Sequence, residues 1–415
     1  MAEASAARPR NIVHPLEYVE RGYPHDIWTR LRAEEPISWW TETEGVHFWA
    51  ITKHSDIVEI SKQPENFISN PRLVIQHEPE QDNPFPDTLI QLDPPKHGQY
   101  RQMVSKRFTP RYLKRMHEDI EQIGKEIVDD LMAEGPEGEC DFVEKVSAPL
   151  PIAVIAWMLG VPREDWRLLF DWTNRTIGAG DPEYQVEGGD RMATAQQAQV
   201  ELFSYFTNLI EEKRKNPADD LVTLFSQLEF EGKPLPPIDV IAWCFIIVIA
   251  GNETTRNATS GGLLAFIEHQ HELRRFQENP DLLVPAVEEV VRWTSPIIHF
   301  SRTATRDVVM RGKKIEEGQA VGLFYPSANR DEDVFDDPFE FRIDRVPNPH
   351  IGFGVGEHFC LGSHVARLEL QIAYKHLLPR LEEIELAGPV SRLHSQLVGG
   401  VKHLPIRYKL KPATS

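Results

Sequence analysis

A lone cysteine, Cys360, closes the run Phe353-Gly354-Val355-Gly356-Glu357-His358-Phe359-Cys360-Leu361-Gly362. Three glycines, Gly352, Gly354 and Gly356, alternate ahead of it, and an amphipathic, helix-like stretch follows over about 361–378. Alternating glycines let a backbone take positive φ and approach a flat or bulky group closely. A cysteine just before a helix N-terminus sits where the helix dipole favours thiolate over thiol. A thiolate with backbone N–H groups aimed at its sulfur suits a soft metal such as haem iron. Three plainer readings compete. One is a buried structural cysteine in a Gly-rich turn. Another is a zinc site from His358, Cys360 and His364 with His350 nearby, although no C-x-x-C accompanies them. The third is a dinucleotide loop. Its spacing is not G-x-G-x-x-G, and Pro347 and Pro349 disfavour a central strand before it.

A second polar cluster interrupts an apolar stretch. Residues 238–270 read as one helix of roughly 30 residues, about 45–50 Å at the helical rise, with Pro236 and Pro237 tolerated at its start. It is apolar on nearly all sides up to Ala250 and then becomes Gly251-Asn252-Glu253-Thr254-Thr255-Arg256-Asn257. A carboxylate and two hydroxyls inside a buried helix are costly unless they act. Threonine competes for the carbonyl one turn earlier, and glycine weakens the helix locally. A kink or widened turn there would hold water, oxygen or a proton relay. The plain alternative is a capped break between two helices.

Three further groups stand out. His97 and Arg101, four apart after Asp93-Pro94-Pro95, share a helix face. They offer two donors to an anion, or simply a solvated face. Glu289 and Arg292, three apart, can pair; alone, such a pair is a surface salt bridge worth under about 1 kcal/mol. Lys106, Arg107, Arg111, Lys114 and Arg115 form a basic cluster, either a solvated face or a docking surface for an acidic electron donor.

These motifs, in this order, resemble the cytochrome P450 family, the haem-thiolate monooxygenases, from about Pro15 to Tyr408. The pattern F-G-x-G-x-H-x-C-x-G is matched at every fixed position. The resemblance implies haem b with Cys360 as its axial thiolate and Phe353, Gly354, His358 and Gly362 in its loop. The family's A/G-G-x-D/E-T is matched by Ala250, Gly251, Glu253 and Thr254, with Glu253 where aspartate is commoner. In the family this acid–alcohol pair delivers protons during oxygen activation, which implies an external reductase rather than peroxide. His97, Arg101, Arg302 and His358 would hold the propionates. Glu289 and Arg292 would form a structural latch behind the haem with Arg345, ahead of Arg342 as the third member. The basic residues Arg107, Arg111, Lys114 and Arg115 would dock a [2Fe-2S]-type ferredoxin.

The elements that must position these groups follow from pattern. The expected fold is mainly α with small β-sheets: a flexible lead-in over 1–14, then one domain over 15–410. The haem would lie between the central helix and the helix after the cysteine loop. Short strands are expected at 37–40 and 47–51 around a turn, then a helix at 55–62 capped by Ser55. The segment 67–93, with Pro71, Pro79, Pro84 and Pro86, reads as a long loop. Helices are expected at 116–132, 143–159 and 163–175, the middle one closed by Gly160-Val161-Pro162. A break over 178–189 precedes a helix to about 215; in the family this region is a mobile roof over the substrate channel. A strand is expected over 297–304, more sheet over 315–323, and a terminal hairpin around 397–401 and 404–406, whose turn dips into the active site in relatives.

Ile246, Ile249, Ile297, Ile298, Leu397 and Val398 are the expected pocket walls. All are aliphatic, so the expected organic substrate is apolar, of terpenoid, steroid or fatty-acid class, with dioxygen as co-substrate. The chain has 415 residues, 41% hydrophobic, and a formal net charge of −19. That acidity argues against nucleic acid or an anionic membrane as a partner. Three cysteines, Cys140, Cys244 and Cys360, argue against a disulfide framework. No apolar leader is visible in 1–15, and the apolar run 240–251 is too short to span a bilayer. The expectation is a cytoplasmic monomer.

Overall fold

Apolar periodicity gives the chain its helices, and Pro and Gly supply most of the stops. The computed structural model describes residues 11–77, 87–187 and 190–411, apart from the Met132 side chain. Pro79, Pro84 and Pro86 of the expected loop, residues 1–10 of the lead-in and Gly189 of the expected break lie outside the described residues.

Seven helices frame the site. α1 (Lys96–Val104) carries His97 and Arg101. α2 (Pro149–Leu159) has no polar face and ends on Gly160 in the left-handed conformation, so it belongs in the interior. Pro149, which has no N–H, separates it from a wider turn at Val143–Ser147, so the helix expected over 143–159 is two pieces. α3 (Trp166–Ile177) and α4 (Arg191–Lys215) pack on each other and on the central helix. Asp190 starts α4 by accepting a hydrogen bond from the Ala193 N–H at 2.9 Å. The central helix, α5 (Pro237–Glu268), runs 32 residues. α6 (Leu283–Thr294) and α7 (Ser363–Leu377) complete the frame and both pack against α5.

α5 continues through Gly251–Asn257 without the expected break or widened turn. Its polar side chains satisfy themselves one turn back. Thr254 Oγ1 donates to the Ala250 carbonyl at 2.8 Å, Asn257 Nδ2 to Glu253 at 2.8 Å and Thr259 Oγ1 to Thr255 at 2.8 Å. α5 is long and apolar enough to cross a membrane, but 56% of its most apolar window is buried in the protein. Helices α2, α3, α4, α6 and α7 surround it.

The main sheet contains β1 (Ile37–Trp40), β2 (Phe48–Ile51), β3 (Phe67–Ile68), β4 (His299–Ala304) and β5 (Ala320–Phe324), in the order β1-β2-β5-β4-β3. β5 runs parallel to β2 and antiparallel to β4, with Val321 opposite Arg302. The C-terminal strand Pro405–Leu410 lies between Leu381–Leu386 and Glu137–Asp141. The expected terminal hairpin is therefore different: Val401–His403 pairs with Ser391–Arg392, while the last strand joins another sheet. The helix expected from Ser55 begins at His54, after Lys53. Asp331 Oδ2 accepts from the His54 N–H at 2.9 Å, taking the capping role expected of Ser55.

Two large apolar clusters form the core. One gathers α2, α4 and the first half of α5; the other gathers the second half of α5, α6, part of α7 and the C-terminal sheet. The principal cavity draws its walls from both.

Candidate active site

The cavity holds about 1550 Å³ of non-protein space. Along α5 its wall is Trp243, Ile246, Ile247, Ala250, Gly251 and Thr254. Ala250 is exposed and Thr254 half-buried on a helix otherwise packed in the core, because both open onto this space. The same cavity is lined by Phe353, Gly354, His358, Cys360 and Gly362 of the loop before α7.

That loop is built by its own backbone. The Cys360 N–H donates to the Phe353 carbonyl at 2.8 Å and the Gly354 N–H to Ile351 at 2.9 Å. Gly354 and Gly356 both have positive φ, +69° and +79°. Only Gly354 faces the cavity. A Cβ at Gly356 would stand 2.2 Å from the Ser61 carbonyl oxygen, so this glycine seats the loop on the helix His54–Ser61 instead. Burial pushes the Cys360 thiol up; the Gly362 N–H, Arg101 and Arg367 oppose that without reversing it. Burial thus works against ionisation of the sulfur, and the Gly362 N–H and the two arginines work for it.

Around the same cavity stand His97, Arg101, Arg302 and His358. Arg302 is 6% exposed and forms no ion pair among the described residues; its Nη1 donates only to the Ser301 carbonyl, at 2.7 Å. A buried guanidinium facing the cavity with no carboxylate partner of its own calls for an anion there. Arg101 Nη2 donates to the Phe359 carbonyl at 2.5 Å. The rings of His97 and His358 lie 4.1 Å apart, and the His358 Nε2 is 3.1 Å from Ser69 Oγ. His97 Nδ1 is buried without a hydrogen-bond partner. Burial and the neighbouring arginines hold His97 down at about 4 and His358 at about 2. The two histidines are thus neutral donors, and the arginines carry the charge. One soft sulfur, two arginines, two imidazoles and a large apolar space fit a haem with two propionates.

Zinc is not supported. No group of three His, Cys, Asp or Glu poised to hold a metal ion is present among the described residues. His350 is engaged by Glu288 at 3.0 Å instead.

Glu253 does not face the cavity with Thr254. It is 1% exposed and pairs with the equally buried Arg256, whose Nη1 donates to Asn174 Oδ1 at 2.8 Å. Burial raises the Glu253 carboxyl, with Arg256 opposing. Of the expected pocket walls, Ile246 and Ile297 line the cavity. Ile249, Ile298, Leu397 and Val398 do not. Ile298 packs with Trp28 and Phe324, and Val398 forms a backbone bridge to Ile297. Leu89, Ile90, Trp243, Ile247, Pro296 and Phe300 take their places. Leu89 and Ile90 carry no periodic signal, because they sit on a single 3-10 turn, Leu89–Gln91, inside the segment expected as a long loop. Ile247 and Trp243 were readable from Ile246 and Ala250 by helical spacing.

Glu289, Arg292 and Arg345 meet behind the cysteine loop. Glu289 accepts from Arg292 Nη2 at 2.7 Å and from Arg345 Nε at 3.2 Å. The pair is fully buried, which corrects the surface-bridge reading. Arg342 contributes only its backbone N–H, 2.9 Å from Glu289 Oε1. Sequence reasoning missed the adjacent Glu288, which takes Arg367 at 2.6 Å and His350 at 3.0 Å and so ties α6 to the loop and to α7. Of the basic cluster, Lys106, Arg111, Lys114 and Arg115 are exposed. Arg107 is half-buried and already paired with Asp219 and Tyr112, so the expected docking role is weakest there.

Comparison with known proteins places these features. The sequence model of cytochrome P450 matches residues 189–410. A methyl-branched lipid omega-hydroxylase of Mycobacterium tuberculosis is 36% identical over 386 residues, 91% of this chain and 89% of that protein. A steroid C26-monooxygenase of the same species is 37% identical over 409 residues, covering 95% and 91%. Linalool 8-monooxygenase of Pseudomonas putida is 36% identical, covering 92% of this chain and 95% of its own. Among solved structures, a Mycobacterium marinum cytochrome P450 in complex with pseudoionone superposes with a TM-score of 0.88 at 32% identity, covering 97% of this chain and all of that one.

Proposed function

The chain belongs to the cytochrome P450 family, and from that premise we propose that this haem b monooxygenase hydroxylates a chain-end carbon of an apolar, methyl-branched lipid, steroid or terpenoid. One observation carries the reading: a single cavity is lined by Cys360, by Ala250 and Thr254 of α5, and by aliphatic and aromatic side chains. Bound there, haem b supplies oxygen activation: one atom of dioxygen enters the substrate C–H bond and the other leaves as water, with two electrons and two protons consumed.

The chain's own residues do the rest. Cys360 presents its sulfur to the iron, held by the loop hydrogen bonds described above. Arg101 and Arg302, with neutral His97 and His358 as donors, hold the two propionates. Ile246, Ile247, Ile297, Phe300, Leu89 and Ile90 exclude water and fix an apolar chain by shape. Thr254 carries a hydroxyl one turn on from Ala250 on α5, where Thr255 also lines the cavity, and is placed to pass protons from Glu253 to the oxygen site. The names of two relatives specify attack at the end of a chain, omega and C26. This supports the regiochemistry proposed.

Electrons would come from a ferredoxin of the [2Fe-2S] type docking on Lys106, Arg111, Lys114 and Arg115. These exposed cations face outward from a chain of net charge −19. We read residues 15–410 as one catalytic domain acting as a cytoplasmic monomer. Titration of the purified haem protein with branched fatty acids, steroids and terpenoids, followed by product analysis with ferredoxin and its reductase, tests the substrate class. Loss of the iron's water ligand and a terminal alcohol are expected. Tight binding of a polar sugar or mid-chain oxidation alone would contradict it.

A further inference from the structure

Trp243 lines the cavity, and its ring is stacked on that of Tyr100 from α1, 6.3 Å away and 8° from parallel. Phe225 and Phe230 flank the pair, with ring centroids 5.5 Å from Trp243 and 5.2 Å from Tyr100. Trp243 and Tyr100 are both buried. Stacking accounts for the packing, but phenylalanine would pack at either position too. Tryptophan and tyrosine are the two most readily oxidised aromatic side chains, and here they run in order from the cavity outward.

The outer end of the pair is built for a proton. The Tyr100 hydroxyl donates to Asp239 Oδ2 at 2.9 Å. Asp239 lies one turn before Trp243, half-buried at the start of α5. Lys96, exposed, sits 5.2 Å over the Tyr100 ring. Burial first, and then the Asp239 carboxylate, push the phenol up to about 12, so it keeps its proton at neutral pH. A cation over the ring opposes a second positive charge on it. An electron therefore leaves this ring only if the proton leaves too, and Asp239 is in place to take it. Tyr325 also lines the cavity, but its charged neighbour is Arg302, which disfavours losing an electron there.

We propose that Trp243 and Tyr100 form an electron relay that drains oxidising equivalents from the haem site toward the surface when no substrate consumes them, with Asp239 as the proton acceptor. Trp243 gives one electron to the haem site and recovers one from Tyr100. The Tyr100 O–H bond breaks as its electron leaves, and the proton forms an O–H bond on Asp239. A one-electron donor at the surface, such as reduced ferredoxin, then restores the phenol as Asp239 returns the proton. One electron passes inward each time, and no atom moves but that proton. The inference rests on haem b at Cys360, and it assigns a protective function outside the hydroxylation itself. A purely structural stack would hold α1 against α5 and carry no electron.

The test uses the haem-loaded full chain, without organic substrate or reductant, mixed with peracetic acid and frozen within milliseconds. Electron paramagnetic resonance should show a tyrosyl radical in the parent and its loss in Tyr100→Phe. Trp243→Phe should diminish the same signal. Asp239→Asn, which keeps an acceptor oxygen but no base, should delay its appearance. Mass spectrometry should find more oxidised residues around the cavity in Tyr100→Phe than in the parent. In ordinary turnover with ferredoxin, its reductase and isopalmitic acid, product per electron should be the same in Tyr100→Phe and the parent. Should Tyr100→Phe not fold, Trp243→Phe and Asp239→Asn carry the test. No protein radical in the parent, or a tyrosyl radical undiminished in Tyr100→Phe or Trp243→Phe, overturns the relay. If the parent shows the red-shifted carbon monoxide band alongside either result, this inference alone fails. If that band is absent, the haem-thiolate reading falls and the relay with it.

Discussion

Glu289 holds Arg292 through two 2.7 Å hydrogen bonds, Nε to Oε2 and Nη2 to Oε1, with both side chains fully out of solvent. Arg292 Nη1 then donates to the carbonyls of Asn329 and Pro338, at 2.9 Å each, so the pair staples α6 to the irregular chain that leads to the cysteine loop. Removing one partner leaves a buried charge uncompensated, which costs about 3–5 kcal/mol. Glu289→Ala and Arg292→Leu are therefore expected to lower the unfolding free energy measured in urea by that amount, with a lower midpoint, or to abolish folding. Arg345→Met should cost less, because its guanidinium also donates to the Asp336, Asp337 and Glu340 carbonyls near the surface. Equal midpoints for parent and Glu289→Ala would refute the staple.

Glu288 makes the acid limb of stability partly its own. Burial would raise its carboxyl, but hydrogen bonds from Arg367 and His350 bring it down to about 2. A depressed carboxyl stabilises fully above its unfolded value of about 4.3 and loses that contribution as pH falls toward the folded value. The gap in unfolding midpoint between parent and Glu288→Gln is expected to be widest near neutrality. It should narrow as pH falls from about 4 toward 2. A gap independent of pH would show that Glu288 works by shape alone.

How much of this could be read beforehand depended on whether a motif is local. Cys360, His97, Arg101 and Thr254 sit where spacing put them, because a loop, an i/i+4 pair and a helix face are each decided within a few residues. Glu289 and Arg345 are 56 residues apart, and their meeting was legible only through the family pattern. Glu253 does not line the cavity with Thr254, because successive helical residues point about 100° apart. Leu397 and Val398 are expected in the pocket by analogy, but neither lines the cavity, although Val398 bridges the backbone of Ile297, which does. Ile298 failed for the opposite reason, since alternate strand residues face opposite sides.

Arg302 should show opposite effects in the two forms of the protein. Without haem it is a buried cation with no ion pair among the described residues. Arg302→Leu is expected to raise the stability of the haem-free chain, because an unpaired buried charge is removed. In the haem-loaded chain it should weaken cofactor retention by about 2–5 kcal/mol, the range for truncating one partner of a buried charge pair. Urea unfolding of the apoprotein and haem transfer to an acceptor globin read the two separately. The same sign in both would mean that Arg302 does not meet a propionate.

Thr254 donates to the Ala250 carbonyl, so its oxygen lone pairs remain available on the cavity side. Thr254→Ala should bind haem and substrate as the parent does, yet divert electrons from product to peroxide. Removing a proton-transfer group costs about 10²-fold or more in the step it serves. Product formed per electron, with peroxide measured alongside, tests this; an unchanged ratio would remove Thr254 from the relay.

The account turns on the sulfur of Cys360. Burial raises its thiol, and a cation facing the sulfur favours the thiolate. The most direct measurement is the absorption spectrum of the reduced, haem-loaded protein under carbon monoxide, for the parent and for Cys360→Ala. A strongly red-shifted Soret band in the parent and its loss in the variant are expected. A normal haem–carbon monoxide band in the parent, or a red-shifted band that survives Cys360→Ala, would contradict thiolate ligation by this residue.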